Sequence, residues 1–442
     1  MDASGHFRGK KITVMGLGLL GRGVGDAAYL ASCGAELIVT DLKSAEALSS
    51  SLEILKEFPA IQFVLGEHRL EDFRGRDFIL KAAGVPLDSP FIIEAQNEGI
   101  PIKMSASLFA EVAQIPVVGV TGTRGKSTVT HMLHAIYKEA GKPVLLGGNV
   151  RGVSTLALLR DVTPEHTALF ELDSWQLQGF GEAESSPTLA VFTTFFPDHL
   201  NYYHDNLDVY LADKANIFLY QNPEDTLVLG EQAAPIVIEK YGEVIESIVK
   251  VVKTSDLPVQ WTLRIPGEHN RYDAALALAA ARSSDISDEI SRAALENFAG
   301  VPGRLELVRK IDGVTFYNDT TATTPEATLA ALRALSEDFA GRIILIMGGA
   351  DKSLTMEPLL DALPQYTKHV TLLGGTGTDR IRESIPNAKV YDTLAVAFED
   401  AHAHAESGDA VLLSPAFSSF GMFSNEYDRG DQFNHLVNEY AA

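Results

Sequence analysis

Cysteine is almost missing from this chain: Cys33 is the single one in 442 residues. That excludes an internal disulfide framework and a cysteine-based zinc site. Cys33 falls in an apolar helical pattern, where its expected role is packing. Basic residues are also in deficit, with 36 Lys and Arg against 59 Asp and Glu and a net charge of −23. Nucleic-acid binding needs clustered Lys and Arg to neutralise phosphates, so the balance argues against such a partner. A bound polyanion must then be held by local sites and not by a basic face. No stretch is long and apolar enough to span a bilayer. The N-terminal MDASGHFRGK lacks an apolar core of signal-peptide length. The expectation is a cytoplasmic protein with no membrane insertion. Solenoid-type repeats and low-complexity linkers are absent as well.

What is present is ordinary globular composition, 46% hydrophobic and 21% charged, over a length that suits about three domains. Short apolar runs alternate with helical patterns in three regions. The first opens with KKITVMGLGLLGRG and continues through ELIVTD to FILKAAGVP near 78–86. The second holds PVVGV, PVLLGG, TALFEL and LAVFTTF. The third, after Pro302, holds GRIILIMGG, HVTLLGG and DAVLLSPA. This alternation predicts an α/β fold with parallel sheets covered by helices. Boundaries near 104 and 302 divide the chain into 1–104, 105–302 and 303–442. Many of the apolar runs end in glycine, serine or aspartate. Ligands of open α/β sheets bind at the carboxyl ends of strands, so chemistry should collect there.

The most informative segment is Pro116–Thr128, PVVGVTGTRGKST. A strand enters a glycine-rich turn and leaves as a helix. Gly122 and Gly125 allow backbone N–H groups to approach an anion, with Thr123 and Arg124 between them. Lys126 is placed to reach terminal phosphates, Ser127 to ligate Mg²⁺, and Thr128 opens a helix aimed at the same charge. Val120 stands where the common phosphate-loop spacing has glycine. The pattern predicts a nucleoside triphosphate.

Other constellations surround it. Gly16-x-Gly18-x-x-Gly21, with Asp41 after the second strand, fits a dinucleotide site, a bound nucleotide-diphosphate moiety, or helix–sheet packing alone. Glu171 closes TALFEL at the edge facing the phosphate loop, where a carboxylate suits a hard cation. His199, in FTTFFPDHLNYYHD, follows a strand and a turn; Lys214, in LADKANIF, reads by itself as a surface lysine. Gly267, His269 and Asn270 precede a small-residue helix. VPGRLE carries Arg304, and Asp319 with a row of threonines precedes another helix. Lys352 sits in the loop GGADKS, and Ser419 in SPAFSSFGMFSNEYDRGDQF at a strand's end.

The joint order of these segments resembles the Mur ligase family, ATP-dependent amide-forming enzymes of peptidoglycan precursor synthesis. TGTRGKST resembles the family's TGTNGKST, ELDSWQL its ELSSFQL, FPDHLNYY its EDHLDRY and GEHNRYDAALA its GxHNxxNxxAA. Lys214 lies fifteen residues after His199, as the family's modified lysine does. NDTTATTPEAT and LLSPAFSSFGMF…RGDQF are similar to the branch that adds D-glutamate to UDP-N-acetylmuramoyl-L-alanine. The departures are Arg124, Asp173, Asp273, Thr321, Ala82-Ala83-Gly84 and Glu426.

The resemblance implies an N-terminal Rossmann-like UDP-binding domain, a central P-loop ATPase-type domain and a C-terminal Rossmann-like domain. It turns the first glycine motif toward a UDP-sugar, with Gly18, Leu19, Leu20 and Asp41 on the uridine diphosphate and Asn149 on the muramoyl group. It implies ATP on the phosphate loop, Asn270, Arg304 and Asp319, with closure of the C-terminal domain as part of catalysis. Two Mg²⁺ sites are implied, one on Ser127 and Glu171 and one on His199 and a carbamylated Lys214. Lys126, Glu171, His199 and Lys214 form the implied catalytic set. Thr323, Lys352, Ser419 and Phe423 are the implied contacts of D-glutamate, and a monomer is expected. Competing readings are a related ligase (another amino acid, or polyglutamate on folate), a nicotinamide-dependent oxidoreductase and a silent nucleotide binder. ATP consumption that depends on both other substrates separates the ligase from the last two.

Overall fold

The computed structural model describes residues 4–18, 21–198, 202–265 and 267–440. Each of the three α/β regions has its own sheet. The first sheet comprises β1 (Lys11–Met15), β2 (Glu36–Asp41), β3 (Gln62–Leu65), β4 (Phe78–Lys81) and β5 (Ile102–Lys103), in the order β3-β2-β1-β4-β5. The second comprises β6 (Val117–Thr121), β7 (Val144–Gly148), β8 (Thr167–Glu171), β9 (Leu189–Phe192), β10 (Thr226–Gly230) and β11 (Ile248–Val252), in the order β11-β10-β9-β6-β8-β7. Both are parallel throughout. Every residue of β6 and β9 is buried, as expected for strands covered on both faces.

The third sheet comprises β12 (Glu306–Ile311), β13 (Val314–Asn318), β14 (Ile343–Gly348), β15 (Thr367–Leu373), β16 (Lys389–Tyr391) and β17 (Ala410–Leu413), in the order β12-β13-β17-β14-β15-β16. It is not wholly parallel. β12 and β13 form an antiparallel hairpin at one edge. Asp312 and Gly313 at its tip both have positive φ, 49° and 85°. That is the backbone of a tight two-residue hairpin turn, and an Asp-Gly pair adopts it with least strain.

The helices that matter for the site are α1 (Arg22–Ser32), α2 (Lys126–Glu139), α3 (Ser174–Glu182), α4 (Leu207–Ala215), α5 (Glu268–Ser283), α6 (Pro325–Phe339), α7 (Leu394–Ala403) and α8 (Glu426–Tyr440). α5 begins earlier than the sequence suggests: His269 and Asn270 lie in its first turn and do not precede it. α3 is started by Asp173, whose carboxylate accepts from the Gln176 N–H at 2.7 Å while the Gln176 side chain accepts from the Asp173 N–H. This reciprocal cap satisfies two N–H groups that the helix itself leaves open.

By internal packing the chain divides into two compact units. One is Met1–Trp261 with Tyr272–Leu295, and holds the first two sheets. The other is Thr262–Arg271 with Glu296–Ala442, and holds the third. In the first unit Asp26 of α1 is buried and accepts from the Ser105 hydroxyl, from Ser154 Oγ at 2.6 Å and from the Leu156 N–H at 3.2 Å. This one carboxylate ties the N-terminal helix to segments of the middle region. No helix among the described residues is long and apolar enough to cross a membrane.

Candidate functional site

The segment Val117–Glu139 folds as strand, turn and helix. Gly122 and Gly125 have φ of 142° and 84°, and neither has room for a side chain. A Cβ on Gly122 would lie 2.0 Å from Thr193 Oγ1, and one on Gly125 would lie 2.4 Å from Asp273 Oδ1. The turn is clamped from β9's carboxyl end. The Thr123 N–H donates to the Thr194 carbonyl at 2.7 Å, the Arg124 N–H to Thr194 Oγ1 at 2.9 Å, and Thr193 Oγ1 to the Arg124 carbonyl at 2.5 Å. Arg124 is exposed, Ser127 is buried and Thr128 is half-buried at the start of α2. Lys126 curls over the turn, its Nζ 3.0 Å from the Gly122 carbonyl and 3.2 Å from that of Thr123.

Glu171 ends β8, directly beside Val120 of β6 in the register. It is 3% exposed, which rules out a merely solvated strand-end acid. Its Oε1 accepts from Asn149 Nδ2 at 3.3 Å, and its carbonyl accepts from the Asn149 N–H at 2.7 Å. Asn149 Oδ1 in turn accepts from the Arg22 guanidinium. Arg22 was not singled out in the sequence. Its place as the first residue of the helix after the GxGxxG motif was the available signal.

Lys214 overturns its surface reading. The side chain is 1% exposed, and its Nζ donates to the Gly122 carbonyl at 2.9 Å and lies 3.4 Å from Thr121 Oγ1. It also lies 4.9 Å from the centre of the Tyr210 ring. Burial first, and the Lys126 charge second, hold its ammonium well below the usual lysine range, with Asp173, Asp198 and Asp213 opposing the shift. His199 lies outside the described residues, as do Leu19 and Leu20.

A cleft of about 420 Å³ opens at the carboxyl edge of the first sheet. Gly18, Arg22, Asp41, Lys81 and Gln176 are among the residues lining it. Asp41 is fixed by two backbone donors, the N–H groups of Leu17 and Lys43, each at 2.9 Å. Lys81 is a residue that sequence reasoning missed. It is 2% exposed and donates to the Val85 carbonyl at 2.6 Å. Burial draws its ammonium down to about 8.

The second unit gathers Asp319, Thr323, Lys352 and Ser419 in the loops that follow the carboxyl ends of the third sheet's strands. Lys352 Nζ donates to Thr323 Oγ1 at 2.9 Å. The loop after β14 pairs with the loop after β17 through the bridge between Ala350 and Ser418. Ser419 is buried six residues past the end of β17, not at the strand's end, and its carbonyl accepts from the Phe423 N–H at 3.1 Å. Asp319 is buried too. Ser414 Oγ donates to its Oδ2 at 2.8 Å, and the Leu305 N–H to its Oδ1 at 3.0 Å. Burial outweighs these bonds and pushes its carboxyl up to about 7. Arg304 is exposed one residue before Leu305, and Asn270 is buried in the first turn of α5. Arg429, fully buried in α8, was not named from sequence. It donates to Thr320 Oγ1 at 3.1 Å and to the Thr320 carbonyl at 2.9 Å, and so holds the threonine loop from below.

A glycine-clamped phosphate loop with a buried carboxylate on the neighbouring strand, carried on three α/β sheets, defines a P-loop nucleotide-binding protein. Three family models then match in order: the Mur ligase MurD-like N-terminal domain over residues 10–104, the Mur ligase middle domain over 120–243, and the Mur ligase glutamate ligase domain over 303–417. The chain belongs to the Mur ligase family.

A UDP-N-acetylmuramoylalanine–D-glutamate ligase of Roseiflexus sp. (strain RS-1) is 36% identical, covering 98% of this chain and all 100% of its relative. The enzyme of the same name from Acetivibrio thermocellus is 32% identical over 100% of this chain and 99% of its own. Among solved structures, the UDP-N-acetylmuramate-alanine ligase of Thermotoga maritima shares the fold with a TM-score of 0.64 at 19% identity, over 98% of this chain and 100% of that one.

Proposed function

We propose that this chain is an ATP-dependent ligase that joins D-glutamate to UDP-N-acetylmuramoyl-L-alanine in peptidoglycan precursor synthesis. The observation that carries the reading is one sheet edge where Lys126, Glu171, Asn149 and the buried Lys214 converge on the phosphate loop. Full-length relatives that bear this enzyme's name support the choice of substrates.

A carboxylate is a poor acyl donor. In this reading the alanine carboxylate attacks the γ-phosphorus of ATP, ADP leaves, and an acyl phosphate forms. The glutamate amine then adds to the acyl carbon; phosphate leaves as the tetrahedral intermediate collapses, and the amine's proton goes to solvent. The first step brings two anions together, which repel strongly where water is excluded. Lys126, the N–H groups at the start of α2 and the Arg124 side chain offset that repulsion. Asp41 and Asn149 hold the uridine and muramoyl parts of the acceptor. Lys352, Thr323, Ser419 and Phe423 receive D-glutamate, and Asn270, Arg304 and Asp319 contact ATP. Holding the reactants in line supplies about 7–11 kcal/mol of such a barrier.

The oxygen donors present suit Mg²⁺: a hydroxyl on Ser127 and a carboxylate on Glu171. Bound there, Mg²⁺ would neutralise charge between the phosphates. A second ion would rest on His199 and on Lys214 as its carbamate. A protonated lysine is no ligand. A neutral one takes up CO₂ to form an N–C bond and loses a proton, and the burial of Lys214 beside Lys126 favours that neutral form. The reading takes the enzyme as a cytoplasmic monomer of three domains, 1–104, 105–302 and 303–442. Mass spectrometry of the reaction products tests it. A UDP-linked product heavier by one glutamate less water is expected, and its absence with every amino acid tried would overturn the assignment.

A further inference from the structure

The third sheet carries a cluster that the ligase reaction does not use. His369 is the third residue of β15, near the amino end of the strand. Asp319, Lys352 and Ser419 all follow the carboxyl ends of neighbouring strands, so the cluster lies at the opposite edge of the same sheet. Asp400 projects from α7 and His404 caps that helix, four residues on and hence on the same face. His369 Nε2 lies 3.0 Å from Asp400 Oδ2, and the two imidazoles stack with centres 3.7 Å apart and planes 8° from parallel. One ligand atom from each of the three residues lies within 4.8 Å of the others.

We infer that His369, Asp400 and His404 form a binding site for a borderline first-row divalent cation of the Zn²⁺ type. Two imidazoles and one carboxylate are a three-ligand set that such ions accept, leaving a fourth position for water. Tetrahedral zinc at about 2.0–2.1 Å needs ligand atoms roughly 3.3 Å apart, so the two stacked rings and the carboxylate must draw together and turn toward the ion on binding. The supporting contacts are already built. Thr371, two residues along the strand on the same face as His369, donates its hydroxyl to Asp400 Oδ2 at 2.8 Å. The Asp400 carbonyl holds His404 Nδ1 at 2.8 Å, which leaves Nε2 of that ring free to ligate. Bonds of this kind orient ligands and are themselves worth roughly 10–100-fold in metal affinity. His404 is 45% exposed in its side chain, so an ion has an entry path. A hard cation such as Mg²⁺ prefers an all-oxygen shell and competes poorly here. The bound ion would pin α7 to β15 and stabilise the second unit by mass action.

The test uses the untagged full chain with Co²⁺ as a spectroscopic stand-in, in excess Mg²⁺ to fill oxygen sites. One equivalent of Co²⁺ should give the visible bands of a low-coordinate ion, and Zn²⁺ should bleach them. Zn²⁺ should also raise the Tm of the unmodified chain. His404→Gln, at an exposed position that folding tolerates, and Asp400→Asn should each weaken binding roughly tenfold or more and remove the Tm shift. Neither should change ligase activity measured without Zn²⁺. No binding by the unmodified chain would overturn the inference. So would binding that survives unchanged in a His369→Gln, His404→Gln double variant.

Discussion

Lys126 and Lys214 converge on one acceptor, the carbonyl oxygen of Gly122, at 3.0 and 2.9 Å. Two ammonium groups so placed repel, and the buried one yields: Lys214 is held well below its usual range by burial first and by Lys126 second. The phosphate loop thus holds two lysines on one carbonyl, and in the buried one the charged form is disfavoured.

If that second lysine works as a carbamate, Lys214→Ala should lower kcat by roughly 100-fold or more while the chain still folds. Short carboxylic acids added to the assay should restore part of the rate, because they return an oxygen donor to the cavity. An inactive variant that no carboxylic acid rescues would remove the best support for carbamylation. Bicarbonate depletion of the unmodified enzyme should mimic the substitution.

Gly125→Ala probes the turn itself. The left-handed φ of 84° costs a residue with a Cβ about 1–2 kcal/mol, and the new atom would press on the Asp273 carboxylate. The turn should open, and the KM for ATP should rise about tenfold or more, with the KM for the UDP-linked acceptor much less affected. Equal effects on both substrates would argue that the turn does not hold the nucleotide.

Substitutions on the two units should separate the other substrates. Loss of a charged hydrogen bond costs about 1.5–3 kcal/mol, or roughly 10–100-fold in binding. Asp41→Ala should raise KM for the UDP-linked acceptor by that factor, and Lys352→Ala should do so for D-glutamate. Initial-rate kinetics with each substrate varied in turn would reveal crossed effects, which would contradict the assignment of the two sites.

Asp319 gives a pH signature. Its carboxyl is raised to about 7 in the folded chain against an ordinary 3.8. Between those values the unfolded chain has released a proton that the folded chain retains, so stability falls as pH rises across that window. Below it there is no penalty from this group, and above about 7 the penalty is constant. At 1.36 kcal/mol per unit the window spans about 4 kcal/mol. Asp319→Asn carries no such proton. Denaturant titrations at pH 4 to 8 should show the unmodified chain losing stability relative to the variant as pH rises. A constant difference would mean that Asp319 is ionised throughout.

Much of the phosphate-loop site was legible because it depends on local chemistry. Glycines at 122 and 125 mark backbone that no other residue fits, and an acid ending an apolar strand marks a sheet edge. The hairpin turn at Asp312-Gly313 and the cap from Asp173 to Gln176 were equally local and could have been read. Lys214 was different. A lysine on a helix is buried or exposed according to what covers it, and here the cover includes Tyr210 of the same helix, stacked on Phe195 from another segment. Arg22, Lys81 and Arg429 were missed for the same reason. Arg22 and Arg429 acquire their roles from an amide and a carbonyl distant in sequence, which no spacing rule brings together. Lys81 instead bonds the nearby Val85 carbonyl and is buried by what packs over it. Arg429 is drawn down to about 10 by burial, a sign of how fully α8 and the threonine loop enclose it.

The central claim is tested most directly by phosphate release from purified protein given ATP, Mg²⁺ and UDP-N-acetylmuramoyl-L-alanine, with D-glutamate, L-glutamate or neither. Release that requires D-glutamate is the predicted result. Release with L-glutamate alone would keep the chemistry and contradict the product, and no release under any of the three conditions would contradict the assignment as a whole.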